Sequence, residues 1–356
     1  MAPPKYRGAF SVGFNFFMDF GTVTANIVNY FAAQLEVDWN WRLSLAIAGV
    51  PAIIMTFGAL FIPDTALSLV ERGKMGEARL ALSQIRGVDS DVDTELMEII
   101  NYSQAVKSKS RDQYKKIFQR EYRPHLVLSV AVMVFQQLTG INVAAFYAPI
   151  LFQSVGFGSD SALIGVVLMG VINLSCVMLS CAVVDRIGRK LLLVLGGVTL
   201  FICQIAMAWL LATRVGNSGD EPLSKDTAVE IMVFMCLYAA GFGYSWGPLS
   251  FLLPTEVLPT EVRPAGNGIG VSVNFMTTFL LSQTFVSMLC HLKFAVFLFY
   301  AGWILIMTIF VLLFLPETKG IPLDAMHPVW ERHWYWEKFV ERKTLSREMI
   351  DDDTEY

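Results

Sequence analysis

FQQLTGINVAAFY, residues 135–147, lies inside a long apolar run, yet it carries two adjacent glutamines, a threonine and an asparagine. None of the four is charged, and each both donates and accepts hydrogen bonds. A buried amide without a partner costs about 1–3 kcal/mol. Such a run therefore needs either neighbouring helices that satisfy it or a polar ligand. On a straight helix Gln137 and Asn142 stand about 140° apart. Gly140, between them, allows the helix to unwind locally and bring the two amides together.

The rest of the chain makes this a membrane segment. Of 356 residues, 54% are hydrophobic and only 16% charged, and mean hydropathy is +0.52. Soluble domains run at about 25% charged. The chain reads as an all-α membrane protein whose principal surroundings are the lipid bilayer. The net charge of −4 gives no reason to expect a nucleic-acid partner. Five cysteines, Cys176, Cys181, Cys203, Cys236 and Cys290, sit in or beside apolar runs, where they read as small packing residues. No CxxC or Cys/His cluster suggests a metal site. His125, His291, His327 and His333 do not pair at ligand spacing within a span, and no nucleophile motif stands out. An embedded enzyme is the weakest reading. MAPPKYRG at the start is not a signal peptide, because no short apolar region with a cleavage site follows it.

About eight spans are expected, each near the ~20 residues that a bilayer core requires. They fall at 8–31, 43–62, 124–153, 160–184, 191–213, 229–253, 267–290 and 293–315. AAQLEVDWNW is acidic, while DRIGRK and the long 63–123 loop are rich in Lys and Arg. Basic residues favour the cytoplasmic side, which puts both termini and the long loop inside. Within that loop, TALSLVERGKMGEARLALSQIRG and SDVDTELMEIINYSQAV have helical spacing and predict short amphipathic helices. The tail, SREMIDDDTEY, is acidic and expected to be disordered. The layout is lopsided, with two spans, a long loop and then six spans.

Gln136, Gln137, Asn142, Asn173 and Asn274 all fall inside apolar segments. Any one of them alone reads as interhelical glue. Five across three spans point to a polar cavity. Neutral amides suit a ligand made of hydroxyl groups, whereas a cation calls for carboxylates and an anion for basic groups. Phe146, Tyr147, Tyr244 and Trp246 are aromatic candidates for stacking on a sugar ring, or for plain packing. GFGYSWGPLSFLLPTE puts Gly241, Gly243, Gly247, Pro248 and Pro254 in one span, which predicts a broken helix. At the inner face, Asp185, Arg186, Arg189 and Lys190 crowd one turn, with Glu71, Arg72, Glu256, Arg263 and Glu317 at comparable depth. They read either as a gating ion-pair network or as topology markers. Asp19 is the one acidic residue placed deep in a span. Such a residue is a functional candidate by default, and the alternative is a hydrated side chain facing a cavity.

In order along the chain, QQLTGIN with a following Tyr, DRIGRK, SWGP…PTE…R and PETKG resemble the sugar porter family of the major facilitator superfamily. WNWRLSL, PDT..SL.ERG and SVNF..TF make the likeness closest to plant monosaccharide/proton symporters. The resemblance runs from about Ala2 to Pro328. It implies a partial major facilitator fold: 1–62 as the last two spans of the N-terminal half, 63–123 as the intracellular helical loop, 124–315 as the six-span C-terminal half, and 316–356 as a cytoplasmic tail. The family's first four spans have no counterpart.

By motif, the resemblance implies sugar contacts from Asn15, Gln136, Gln137, Asn142, Asn173, Asn274 and Thr278, with Trp246 flanking the sugar. It implies an inner charge network of Glu71, Arg72, Asp185, Arg186, Arg189, Glu256, Arg263 and Glu317. The implied substrates are a hexose and a co-transported proton, without a cofactor or metal, at the plasma membrane. Cys290 resembles a cysteine tied to an extracellular lid. Several positions depart from the family pattern. Asn15 stands where glutamine is usual, so its sugar bond is longer or water-bridged. Asp19 stands where a small neutral residue is expected, Ala66 replaces a proline and Lys190 an arginine. The family's proton-binding aspartate and its partner arginine belong to the spans without a counterpart here. Two functional readings stand: a sugar transporter of the proton-symport type in partial form, or a non-transporting fragment or sugar-binding, sensor-like membrane protein.

Overall fold

The computed structural model describes residues 7–35, 39–86, 92–109, 113–142, 144, 158–214, 225–259, 261–292, 294–319 and 327–339. Phe146, Tyr147 and the acidic end of the chain lie outside these residues. No strand occurs among the described residues. Six helical stretches there are long and apolar enough to cross a membrane: Asn40–Phe61, Ser161–Ile187, Arg189–Thr213, Asp226–Val257, Arg263–Leu292 and Ala295–Phe314. The chain divides into two compact units, Met1–Phe31 with Ile117–Tyr356, and Ala32–Lys116.

The unit Ala32–Lys116 opens with an apolar stretch in two pieces, α2 (Asn40–Ile47) and α3 (Gly49–Phe61). Pro51 has no amide hydrogen for the Ile47 carbonyl, and the helix is interrupted at Ala48. No residue of either piece is buried, as a lipid-facing surface requires. Three short helices follow, α4 (Ala66–Glu71), α5 (Met75–Arg86) and α6 (Val92–Lys109). Thr65 caps α4 by accepting the Ser68 N–H at 3.3 Å. Ala66, Leu69, Val70, Ala78, Leu82 and Ile99 form the core of the unit. These are the amphipathic helices predicted for the loop.

The turn from α4 to α5 is a Schellman cap. Gly73 has φ +80°, its N–H donates to Val70 O, and the Lys74 N–H donates to Leu69 O. Nothing lies within 4 Å of a Cβ added at Gly73, so a substitution there acts on the backbone alone. Gly73→Ala should lower stability by about 1–2 kcal/mol, the penalty for a left-handed L-residue. Gly73→Asn should lose less. Equal melting of the wild type and Gly73→Ala in detergent would show that the cap carries no strain-sensitive turn.

The smaller unit ends with α7 (Gln113–Lys116), and the larger unit contains α1 (Arg7–Ala33) up to Phe31, α8 (Arg123–Leu138), α9 (Ser159–Ile187), α10 (Arg189–Arg214), α11 (Lys225–Tyr244), α12 (Trp246–Val257), α13 (Arg263–Leu292), α14 (Ala295–Phe314) and α15 (His327–Glu331). α1 and α8 begin two of the eight expected spans. The asparagines, threonines and Asp19 of α1 keep it outside the six most apolar stretches, and α8 breaks after Leu138. α1 meets α9 where Gly170 leaves room for Val23. α10 packs on α11 and α14, α9 packs on α11, and α8 packs on α12 and α13. Gly196 and Gly197 let α10 come within van der Waals reach of Ser245 and Thr308, closer than a Cβ permits. The predicted break in the Gly/Pro-rich span is at Ser245, with φ −128° and ψ −91°. Pro248 there has no N–H for the Tyr244 carbonyl.

The compact units divide at 31/32 and 116/117, and Ile117 and Tyr122 pack with Leu258 and Val262 inside the larger one. Part of the 316–356 region is folded. Trp330 and Trp336 are buried, Trp330 packs edge-on to His125 at 4.7 Å, and Trp336 Nε1 donates to Phe314 O at 2.8 Å. Five aromatics between Trp330 and Phe339 give this segment enough apolar area to fold onto the ends of α8 and α14.

Candidate functional site

α8 ends where the amides need it to end. The Thr139 N–H still donates to Phe135 O, but the Gly140 N–H turns to Gln137 O at 3.0 Å, and Gly140 sits at φ +83°. The helix resumes with the Ala144 N–H on Gly140 O at 2.8 Å. A side chain at Gly140 is excluded twice, by the left-handed backbone and by the Tyr300 ring 2.9 Å from where a Cβ would lie. The break turns Asn142 back, so that its Nδ2 donates to Gln137 Oε1 at 2.7 Å.

Gln137 is the hub of a four-amide cluster. Its Nε2 donates to Gln136 Oε1 at 3.0 Å and to Asn274 Oδ1 at 2.9 Å. Asn274 Nδ2 donates to Gln136 Oε1 and to Met133 O, each at 2.9 Å. The cluster thus ties α8 and the turn after it to α13. Gln136, Gln137 and Asn274 are buried, and Asn142 is half-buried. Thr278 stands one turn beyond Asn274, its hydroxyl given to Asn274 O at 3.0 Å.

Both Gln137 Nε2 hydrogens and both lone pairs of Gln136 Oε1 are used inside the cluster. Among the described residues, Gln136 Nε2 and Asn142 Oδ1 make no bond. Neither belongs to the sealed, unpaired polar atoms, which lie at residues such as Ser129, Gln204 and Tyr300. The cluster therefore retains amide donors at Gln136 and an amide acceptor at Asn142, linked through Gln137, with no charge among them. That pairing matches a hydroxyl-bearing neutral ligand.

The other expected sugar contacts are placed elsewhere. Asn15 is buried on α1. Asn173 is half-buried on α9, with its Oδ1 sealed and unpaired 2.8 Å from where a Cβ at Gly243 would stand, so it faces α11. Trp246, expected to flank the ligand, is fully buried and gives its indole N–H to Leu193 O at 3.1 Å. That is a packing position between α12 and α10. Tyr244 bonds Thr199 at 2.9 Å.

The charge network gathers at the other expected site, at the end of the bundle where α9 hands over to α10. Arg189 bonds Glu256 through Nε at 3.1 Å and Nη2 at 2.8 Å, and bonds Asp185 Oδ1 at 2.8 Å. Glu317 accepts the backbone N–H groups of Arg189 at 3.0 Å and Lys190 at 3.2 Å, capping the positive end of α10. Gly188 leaves room for that carboxylate. Two members were missed in the sequence. Thr318 Oγ1 donates to Glu256 Oε2 at 2.9 Å, and Lys319 Nζ donates to Arg186 O at 2.6 Å. Their only signal was position, directly after Glu317 in PETKG. Arg263 donates its Nε to Leu258 O at 3.1 Å. Glu71 and Arg72 belong to the other unit, where Arg72 pairs with Asp64 at 3.0 Å. The five cysteines are free.

Residues 1–330 match the family described as sugar (and other) transporter. Sugar transport protein 5 of Arabidopsis thaliana is 53% identical over 343 residues, which are 96% of this chain and 67% of that protein. Sugar carrier protein C of Ricinus communis is 47% identical, over 96% of this chain and 65% of that protein. The chain therefore spans about two thirds of the length of these relatives. Among solved structures, the proton:xylose symporter XylE bound to 6-bromo-6-deoxy-D-glucose superposes with TM-score 0.73 at 26% identity, over 93% of this chain and 68% of that one. An inward-open form of XylE from E. coli gives TM-score 0.71 at 25% identity, over 93% and 67% of the two chains.

Proposed function

Because the chain belongs to the sugar transporter family of the major facilitator fold, we propose that it serves the transmembrane movement of a monosaccharide, with Gln136, Gln137, Asn142 and Asn274 as the hydroxyl-binding surface. The family is one of multi-pass membrane transporters, not enzymes, and it needs no cofactor. The observation that carries the reading is the four-amide cluster across the broken α8 and α13, with donors and an acceptor left over and no charge. A hexose presents both hydroxyl hydrogens and lone pairs to such a surface. Asn15, Asn173 and Thr278 are secondary candidates on the same reading, and Trp246 supports the site by packing.

The co-substrate is a proton, by analogy with the proton:xylose symporter that superposes on this chain. The Arg189–Glu256–Glu317 network joins α10, α12 and the segment after α14, and so holds the ends of three elements together. We assign it the role of a latch for one conformation. The plasma membrane, with both termini cytoplasmic, completes the proposal and follows from the family and from the basic DRIGRK turn.

Asn142→Ala should weaken binding of tritiated D-glucose to the purified chain by about 1–3 kcal/mol, because it removes one partner of buried polar groups. Affinity equal to that of the wild type would remove Asn142 from the site and with it the amide-cluster reading.

A further inference from the structure

The break in α8 takes several backbone carbonyls out of the helical ladder. A carbonyl at an interrupted helix has lost its amide donor, and in hydrocarbon no water replaces it. At Thr139 the partner comes from another helix. The Tyr238 hydroxyl of α11 donates to Thr139 O, and Gln204 of α10 lies beside the same hydroxyl. Tyr238 is 1% exposed, so no solvent competes for either group. The Tyr300 ring of α14 fills the space that a side chain at Gly140 would take. The Tyr238 hydroxyl bonds the backbone at the break and none of the four amides, and nothing in the sequence marked it.

We infer that Tyr238 is a positioning residue for the sugar site: its hydroxyl holds the Thr139–Gly140 break in the one geometry that folds Asn142 back onto Gln137. The inference rests on the sugar-binding reading of the amide cluster. It assigns specificity-determining work to α11, a helix that contributes no amide to the cluster. The geometric chain is short. Thr139 O is fixed by Tyr238, Gly140 adopts φ +83°, and Asn142 Nδ2 then reaches Gln137 Oε1 at 2.7 Å. Among the described residues the Tyr238 hydroxyl is the donor to the buried Thr139 O, and Tyr238→Phe takes that bond away. The turn then gains by reorganising, and Asn142 leaves its partner.

The test is a double-mutant cycle read by tritiated D-glucose binding to the purified chain. Tyr238→Phe removes one oxygen and keeps the ring in the core. It should weaken binding about tenfold, the factor that corresponds to 1.4 kcal/mol. Because Tyr238 acts through Asn142, adding Tyr238→Phe to Asn142→Ala should cost little more than Asn142→Ala alone. A merely structural role makes the two losses multiply. Multiplying losses, or a silent Tyr238→Phe beside a damaging Asn142→Ala, overturns the positioning role and leaves the sugar site standing. A silent Asn142→Ala overturns the sugar reading itself, and the inference falls with it. Thermal unfolding checks that Tyr238→Phe is folded. If it is not, Tyr238→Met, an adaptable apolar replacement without the hydroxyl, takes its place and must show the same sub-additive pattern with Asn142→Ala. Multiplying losses there count equally against the inference.

Discussion

Arg189→Ala should destabilise the chain by about 3 kcal/mol, near the lower end of the range for breaking one side of a buried ion pair. The size follows from where each partner lies. The Arg189 side chain is 11% exposed and that of Glu256 21%, while that of Asp185 is 75% exposed. The Asp185 bond is therefore a surface pair worth about 0–1 kcal/mol, and Asp185→Asn should change little. Glu256 is different. It holds the guanidinium through two nitrogens and also accepts Thr318, so among the described residues removing Arg189 leaves its carboxylate with a hydroxyl as partner. Arg189→Lys should recover only part of the loss, because an ammonium cannot bridge Glu256 and Asp185 with a planar fork. Arg189→Leu combined with Glu256→Leu should unfold nearer to the wild type than Arg189→Ala does, since a buried pair is often replaceable by apolar packing. Thermal or denaturant unfolding in detergent reads all four variants. Arg189→Ala melting within about 1 kcal/mol of the wild type would reduce the network to surface pairs. The latch role makes a further demand: variants that loosen Arg189 should change the accessibility of cysteines introduced at the ends of α10 and α12, whereas Asp185→Asn should not.

How far the sequence carries this picture depends on the range of the interactions involved. The break at Gly140 is local, and it was legible as an amide pair on opposite faces with a glycine between them. The broken span at Pro248 and the helices of the 63–123 region are local too. The pairing of Gln137 with Asn274 joins residues 137 apart in the chain, and no periodicity encodes it. What suggested it was the oddity of amides in apolar runs, together with the resemblance. Where a residue is chemically ordinary, that signal disappears. Tyr238 is one aromatic among many in α11, and Thr318 is one threonine after a helix end. Trp246 shows the same limit: a tryptophan beside a broken helix reads equally as a stacking platform or as packing, and the bond of its indole N–H to the Leu193 carbonyl is a contact between distant residues. Charged residues interrupt the aromatic segment from Trp330 to Phe339. Only the positions of His125 and Phe314 show what it covers.

Gln137→Leu should weaken D-glucose binding more than any other single change in the cluster, by about 3 kcal/mol or roughly 150-fold, because it strands several buried partners at about 1–3 kcal/mol each. Gln137 accepts from Asn142 and donates to both Gln136 and Asn274. With leucine there, Asn142 Nδ2 and Asn274 Oδ1 lose their bonds at once, and the surface offered to a sugar loses its order. Leucine keeps the volume, so packing of α8 against α13 should survive, and the loss should appear in sugar affinity more than in stability. Gln137→Glu is the sharper variant. It keeps the Oε1 acceptor for Asn142 but replaces the donor with an oxygen that faces Gln136 Oε1 at 3.0 Å and Asn274 Oδ1 at 2.9 Å. Three acceptors at that spacing repel, and the relief open to them is a proton on the new carboxyl. The protonated form restores one of the two donated bonds. D-glucose affinity of Gln137→Glu should therefore rise as pH falls, more steeply than for the wild type over the same range. An affinity of Gln137→Glu that tracks the wild type at every pH would mean that Gln137 donates to no oxygen in the bound state. The hub of the cluster would then have to be Asn274, whose Nδ2 reaches Gln136 and the Met133 carbonyl without passing through Gln137.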